Sequence, residues 1–278
     1  MSSRHTARTA LVTGGGSGIG AAIARALSRA GAAVFVAARS QEACTKVVDE
    51  LRASGASAWP LYLDVSDRDS IAEALAATRE HTAASIDWLV NNAGIAETAP
   101  FLARDRSGVD AYAKHMDVNF HGARRLIEAL GPGMVERGYG RIVNLASSAA
   151  LQGYAYASAY CASKHALLGY SRSAALELVR TDVTLNVVCP HYVDSPMTDG
   201  TVARIVKKTG KSADETRAFL SRQNPGGTLI SVDEVADVVR ELVLGTRNGA
   251  LVELVGGRGI RAASETVIWR EGVESHGT

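Results

Sequence analysis

The sequence predicts a doubly wound α/β fold: one parallel sheet with helices on both faces. Three observations carry this expectation. Short aliphatic or β-branched runs alternate with amphipathic stretches along the chain, the runs are too apolar to have a solvated face, and a glycine-rich turn joins the first run to the first amphipathic stretch. With 278 residues, 46% hydrophobic and 21% charged, the chain has ordinary globular composition and is read as one domain.

The expected strands are residues 10–13, 34–38, 61–63, 88–91, 141–145, 185–189 and 251–255. Between them, residues 21–30, 41–53, 70–81, 110–137, 159–180 and 232–244 show apolar positions at helical spacing, long enough for crossover helices. The rhythm breaks after His191. No strand signal follows until after Ser231, and residues 201–220 read as a polar helix, so residues 195–228 are expected to form a substrate lid. The core then runs over residues 8–257, with a C-terminal extension at 258–278.

Composition excludes several function classes. Thirty basic against 29 acidic residues leave a net charge of +1, too little to hold a nucleic-acid backbone. Cys44, Cys161 and Cys189 lie far apart with no metal-ligand spacing, so buried thiols are expected, and neither disulfides nor a metal site. The longest uncharged stretch, 142–163, contains Asn144, Gln152 and several serines, which argues against a membrane span. The first residues are basic but lack the apolar core of a signal peptide, so a cytoplasmic protein is expected.

The turn after the first strand reads Thr13-Gly14-Gly15-Gly16-Ser17-Gly18-Ile19-Gly20. Glycines there let a pyrophosphate approach main-chain N–H groups at the positive end of the following helix. Gly14, Gly16, Ser17, Gly18, Ile19 and Gly20 are the expected cofactor contacts, and the turn lacks the lysine of a mononucleotide P-loop. The second strand ends at Arg39, whose guanidinium would pair with a ribose 2′-phosphate. NADP(H) is therefore preferred, with NAD(H) left open. Tyr160 and Lys164, four apart on a helix, share a face. The ammonium is expected to lower a phenol pKa of about 10 toward neutrality and make it a proton donor.

Four motifs in order, the glycine turn, Asn91-Asn92-Ala93-Gly94, Ser147, and Tyr160-Cys161-Ala162-Ser163-Lys164, resemble the short-chain dehydrogenase/reductase family over residues 8–257. The segments VFVAARS and GRIVNLASS, with the lid, resemble its 3-oxoacyl thioester and polyketide ketoreductases. The resemblance implies that Tyr160 protonates the substrate oxygen, Ser147 donates a hydrogen bond to it, Lys164 holds the nicotinamide ribose and Asn119 anchors a proton-relay water. It also implies that Asp64 and Val65 bracket adenine, that Asn91, Ala93 and Gly94 lie against the ribose, and that Pro190, Val193 and Ser195 line the cofactor. Ser148 reads as a packing or capping residue and His165 as structural.

Where the family has Pro-Gly, this chain has Pro190-His191. The substrate pocket is expected to use Gln152, Tyr154, Tyr156, His191 and Tyr192. Arg204, Lys207, Lys208 and Lys211 occur without an acid among residues 201–212, suiting the phosphates of coenzyme A or a carrier protein, or merely a solvated helix face. The leading expectation is NADPH-dependent reduction of a 3-oxoacyl thioester or related ketone. A broad carbonyl reductase or secondary-alcohol dehydrogenase, a 3-hydroxyacyl-CoA dehydrogenase and a non-catalytic dinucleotide binder stay open. The resemblance further implies a homotetramer paired through the helices bearing Asn119 and Tyr160, with the tail around Trp269 reaching a neighbouring subunit.

Overall fold

Side chains of β1 (Thr9–Thr13) and β2 (Ala33–Ala38) alternate between two separate hydrophobic layers. Ala10, Val12, Val34 and Val36 enter one, and Leu11, Phe35 and Ala37 enter the other. A strand with no solvated face must be covered on both sides, which is why the runs are apolar throughout. The computed structural model describes residues 8–82, 85–97, 110–257 and 259–262.

The remaining strands are β3 (Ala58–Tyr62), β4 (Trp88–Asn91), β5 (Gly140–Leu145), β6 (Val183–Pro190), β7 (Leu251–Gly256) and β8 (Gly259–Ala262). Their order is β3-β2-β1-β4-β5-β6-β7-β8, parallel except for the last pair. The order reverses between β1 and β4, and this opens a crevice at the carboxyl ends of the strands. Helices α1 (Gly18–Arg29), α2 (Gln41–Ala53) and α9 (Val232–Leu244) cover one face. Helices α3 (Arg68–His81), α5 (Gly122–Glu136) and α6 (Ser158–Glu177) cover the other. Side-chain caps mark several starts: Asp67 accepts from the Asp69 amide at 2.8 Å before α3, and Ser231 and Glu234 form a reciprocal capping box before α9.

Four elements depart from the sequence reading. Strand β3 starts at Ala58, earlier than expected, because Trp59-Pro60 belongs to it; proline is tolerated there because β3 is an edge strand. The expected helix 110–137 is interrupted: α4 (Ala111–Met116) passes through a π-helical turn (Asp117–His121) into α5. The lid is a pair of helices, α7 (Pro196–Thr209) and α8 (Ala213–Gln223), separated at left-handed Gly210 (φ 72°), and a lone parallel bridge, Val193 to Ile230, ties its base together. Finally, β8 lies within what was read as an extension. Gly256 (φ 83°) and Gly257 (φ 62°) turn the chain back onto the sheet edge, and so short a segment carries no apolar alternation to reveal it. Residues 258 and 263–278, including Trp269, lie outside the described residues.

The three cysteines are free and buried. Among the described residues no His, Cys, Asp and Glu cluster could hold a metal, and no helix is long and apolar enough to cross a membrane.

Candidate active site

The glycine turn is a cradle that side chains would fill. Gly14 and Gly18 have positive φ (63° and 50°), and a Cβ on Gly20 would sit 2.1 Å from the Gly14 carbonyl oxygen. Ser17 precedes α1 without capping it through its side chain, so the first amides of that helix remain available to an anion. The turn is held from the side. Thr13 Oγ1 accepts from the Asn92 and Ala93 amides, both at 3.0 Å, while Asn92 Nδ2 donates to the carbonyls of Thr13 and Gly14 at 3.0 and 3.2 Å. A dinucleotide fits this cradle: room where Cβ atoms are missing, an open helix N-terminus, and Arg39 exposed at the end of β2. Burial raises the Asp64 carboxyl, but donors from Ser66 and the Arg39 charge outweigh it and hold it below the ordinary carboxylate range. Val65 is buried against Gly122, on which a Cβ would lie 2.8 Å away.

Across the switch point lies a cleft of about 670 Å³, lined by Ser147, Tyr160, Lys164, the base of β6 and both lid helices. Ser147 follows β5, and its Oγ accepts from the Ala149 amide at 3.1 Å. Helix α6 brings Tyr160 to the same cleft, where the Ser147 side chain opposes the effect of burial on the phenol. One turn on, Lys164 Nζ donates to the Leu145 carbonyl at 2.8 Å. Asn119, in the π-helical turn, accepts from the Ile95 amide at 2.8 Å and donates both amide protons, to the Ile95 carbonyl and Ser163 Oγ, each at 3.0 Å. Asn119 thus ties the loop after β4 to α6, and a relay water on its side chain could only donate to Oδ1. Gly94 packs beneath: a Cβ there would be 3.1 Å from Asn119 Oδ1 and 3.7 Å from Lys164 Nζ.

Electrostatics correct one expectation. Burial, opposed by the Ser147 hydrogen bond, pushes the Tyr160 phenol up to about 12. Burial lowers the Lys164 amine to about 8. Helical spacing does bring the two onto one helix face, but desolvation is the largest cause of each shift and neither group acts on the other.

The site residues divide by location. Ile19, Gly94, Pro190, Val193 and Ser195 line the cleft, as do Tyr154, Tyr156, His191 and Tyr192. Gly16, Ser17 and Gly18 line a second hollow between α1 and α2. Two expected site residues lie apart from the cleft. Gln152 is exposed and outside the cleft, donating to the Tyr154 hydroxyl at 2.8 Å. Asn91 is buried in the sheet and donates to Asn144 Oδ1 at 2.8 Å; Asn144 in turn donates to Ser171 on α6, so the amide joins strands and helix. The next residue, Asn92, takes the place in the cleft. The strand's bounds, 88–91, are legible in the sequence; the cross-strand partner Asn144 is not, because it arrives only with the pairing of β4 and β5. Ser148 donates to or accepts from the Tyr154 hydroxyl at 2.8 Å, and His165 Nδ1 contacts the Cys161 carbonyl at 2.9 Å, both as expected of supporting residues. His115 escaped the sequence reading altogether. It is buried, its Nε2 accepts from the Glu97 amide at 3.1 Å, and its ring stands edge-on to Tyr160 at 6.3 Å.

Comparison with known proteins matches the short chain dehydrogenase family model to residues 8–205. A Streptomyces coelicolor protein whose name assigns it provisionally as a ketoacyl reductase is 37% identical over 240 residues, covering 84% of this chain and 89% of its own. The ketoacyl reductase HetN of a Nostoc species is 36% identical, covering 77% and 73%. Among solved structures, an actinorhodin polyketide ketoreductase variant with NADPH superposes with a TM-score of 0.83 at 34% identity, covering 90% of this chain and 97% of its own.

Proposed function

The chain belongs to the short chain dehydrogenase family and is an oxidoreductase of it; from that premise we propose that it reduces a ketone of the 3-oxoacyl thioester or polyketide type with NADP(H) as preferred cofactor. The observation that carries the reading is the convergence of Ser147, Tyr160 and Lys164 on one roomy cleft beside the glycine cradle. The cofactor, when bound, supplies hydride to the carbonyl carbon.

The protein's own residues do the rest. Gly14 to Gly20 and Arg39 would hold the pyrophosphate and 2′-phosphate, with Asp64 and Val65 toward adenine and Gly94, Lys164, Pro190, Val193 and Ser195 toward the nicotinamide end. Ser147 donates to the substrate oxygen, and Tyr160, protonated at neutral pH, delivers the proton that makes it a hydroxyl. Lys164, anchored on Leu145, keeps a cation beside the pair.

The cleft is mostly apolar, and its lid side adds Arg204, Lys208 and Lys211. Those charges support a thioester carried on coenzyme A or a carrier protein. Lys207 is exposed outside it, and Arg204 also donates to the Ala96 carbonyl at 2.9 Å. The reading further includes a single domain and a cytoplasmic homotetramer paired through the helices bearing Asn119 and Tyr160. Leu176, 56% exposed on α6, supports that pairing, and light scattering tests it.

The deciding experiment follows NADPH and NADH oxidation with acetoacetyl-CoA and simple aryl ketones. Faster turnover with NADPH and ketone-dependent oxidation are expected. Reduction of aryl ketones alone would transfer the protein to the broad carbonyl reductases.

A further inference from the structure

His191 stands where the resembling family has glycine, at the end of β6. Its amide continues the ladder to Leu254, donating to that carbonyl at 3.1 Å. Cys189 precedes it by two residues and lies close enough to Tyr160 and Lys164 to act on both. Strand alternation puts His191 on the same face, about 6–7 Å farther along. The His191 side chain is 4% exposed and contributes to the cleft wall.

Its Nε2 lies 2.7 Å from Glu253 Oε1 on β7. An ionised carboxylate can only accept, so in the neutral ring Glu253 holds the proton on Nε2 and leaves Nδ1 an acceptor. That Nδ1 is buried and has no hydrogen-bond partner. A native fold rarely leaves a buried ring nitrogen empty unless something outside the chain completes it. Ser148 and Lys164, which line the same cleft, are by contrast satisfied within the protein, by Tyr154 and Leu145.

We propose that the His191–Glu253 pair recognises a hydroxyl group on the substrate, Nδ1 accepting its hydrogen bond while Tyr160 and Ser147 engage the ketone. The inference rests on the ketone-reductase reading and narrows its substrate to a ketone with a second, phenolic or enolic oxygen. His191 is then a specificity residue, and Glu253 a positioning residue that sets the tautomer.

The test is calorimetry of the NADPH-loaded protein with 1-tetralone, its 5-, 6- and 7-hydroxy derivatives, and their methoxy counterparts, which cannot donate. One hydroxy isomer is expected to bind at least about fivefold tighter than its methoxy counterpart, as one added hydrogen bond provides. The ratio should fall to within about twofold in both His191→Gly and Glu253→Ala, and largely survive in Glu253→Gln, which still accepts from Nε2. No hydroxy preference in the wild-type protein, a preference that survives His191→Gly, or no binding of any tetralone overturns the proposal. Reduction of unsubstituted 1-tetralone, followed in parallel, reports on the ketone-reductase reading separately: binding with a hydroxy preference but without turnover would refute that reading alone.

Discussion

Lys164 Nζ lies 5.8 Å from the centroid of the Tyr160 ring and donates to the Leu145 carbonyl, not to the phenol. Burial therefore acts on each group separately, raising Tyr160 to about 12 and lowering Lys164 to about 8. The phenol keeps its proton throughout the neutral range, the state that an acid needs for ketone reduction. Oxidation of an alcohol needs the opposite state, so its rate should climb with pH where the reductive rate stays level. Initial rates in both directions from pH 6 to 10 check this.

Replacing Tyr160 by Phe removes the proton while leaving the ring's packing intact. Turnover should fall by about 10²–10⁴-fold, with NADPH affinity held within a few-fold. Stopped-flow hydride transfer and NADPH fluorescence titration separate the two effects, and undiminished turnover would disprove the assignment.

Lys164 has a stability consequence whose sign follows from its folded pKa lying below the unfolded 10.5. The fold disfavours the charged amine. That penalty is fully present below pH 8 and is relieved as pH rises from about 8 to 10.5. Lys164→Met should therefore gain stability relative to the parent at pH 7, by up to the order of 3 kcal/mol, and lose that advantage by about pH 10.5. Thermal denaturation of the cofactor-free protein at the two pH values measures the difference, and turnover should be lost at both.

Arg39 is exposed just past the end of β2. Arg39→Ala should raise KM for NADPH by about 10- to 100-fold, the worth of a charge-assisted hydrogen-bond pair, and leave that for NADH nearly unchanged. An equal loss for both nucleotides would mean that Arg39 does not meet a 2′-phosphate.

Thr13 is 1% exposed, and its hydroxyl bridges the glycine turn to the end of β4 by two accepted bonds and one donated to the Val90 carbonyl. Thr13→Val keeps the shape but strands two half-buried amides, so unfolding free energy should drop by about 1–3 kcal/mol. Urea denaturation reads the loss, and the dinucleotide Kd should weaken with it.

Much of this protein is legible in one dimension. Apolar runs such as Ala10 to Val12 require two covering layers wherever they fold, and a sequence of strand, glycine turn and helix makes an anion cradle through local geometry alone. The four-residue spacing of Tyr160 and Lys164 likewise survives any tertiary context, because a helix carries it. Packing decided what distance along the chain cannot convey. Desolvation reversed the expected drop in the Tyr160 pKa, and pairing with β5 set Asn91 against Asn144 while Asn92 lines the cleft. Residues 62 positions apart, His191 and Glu253, became partners only when β6 and β7 lay side by side. Burial and cross-strand contact are properties of the whole assembled sheet, so no local pattern of residues encodes them.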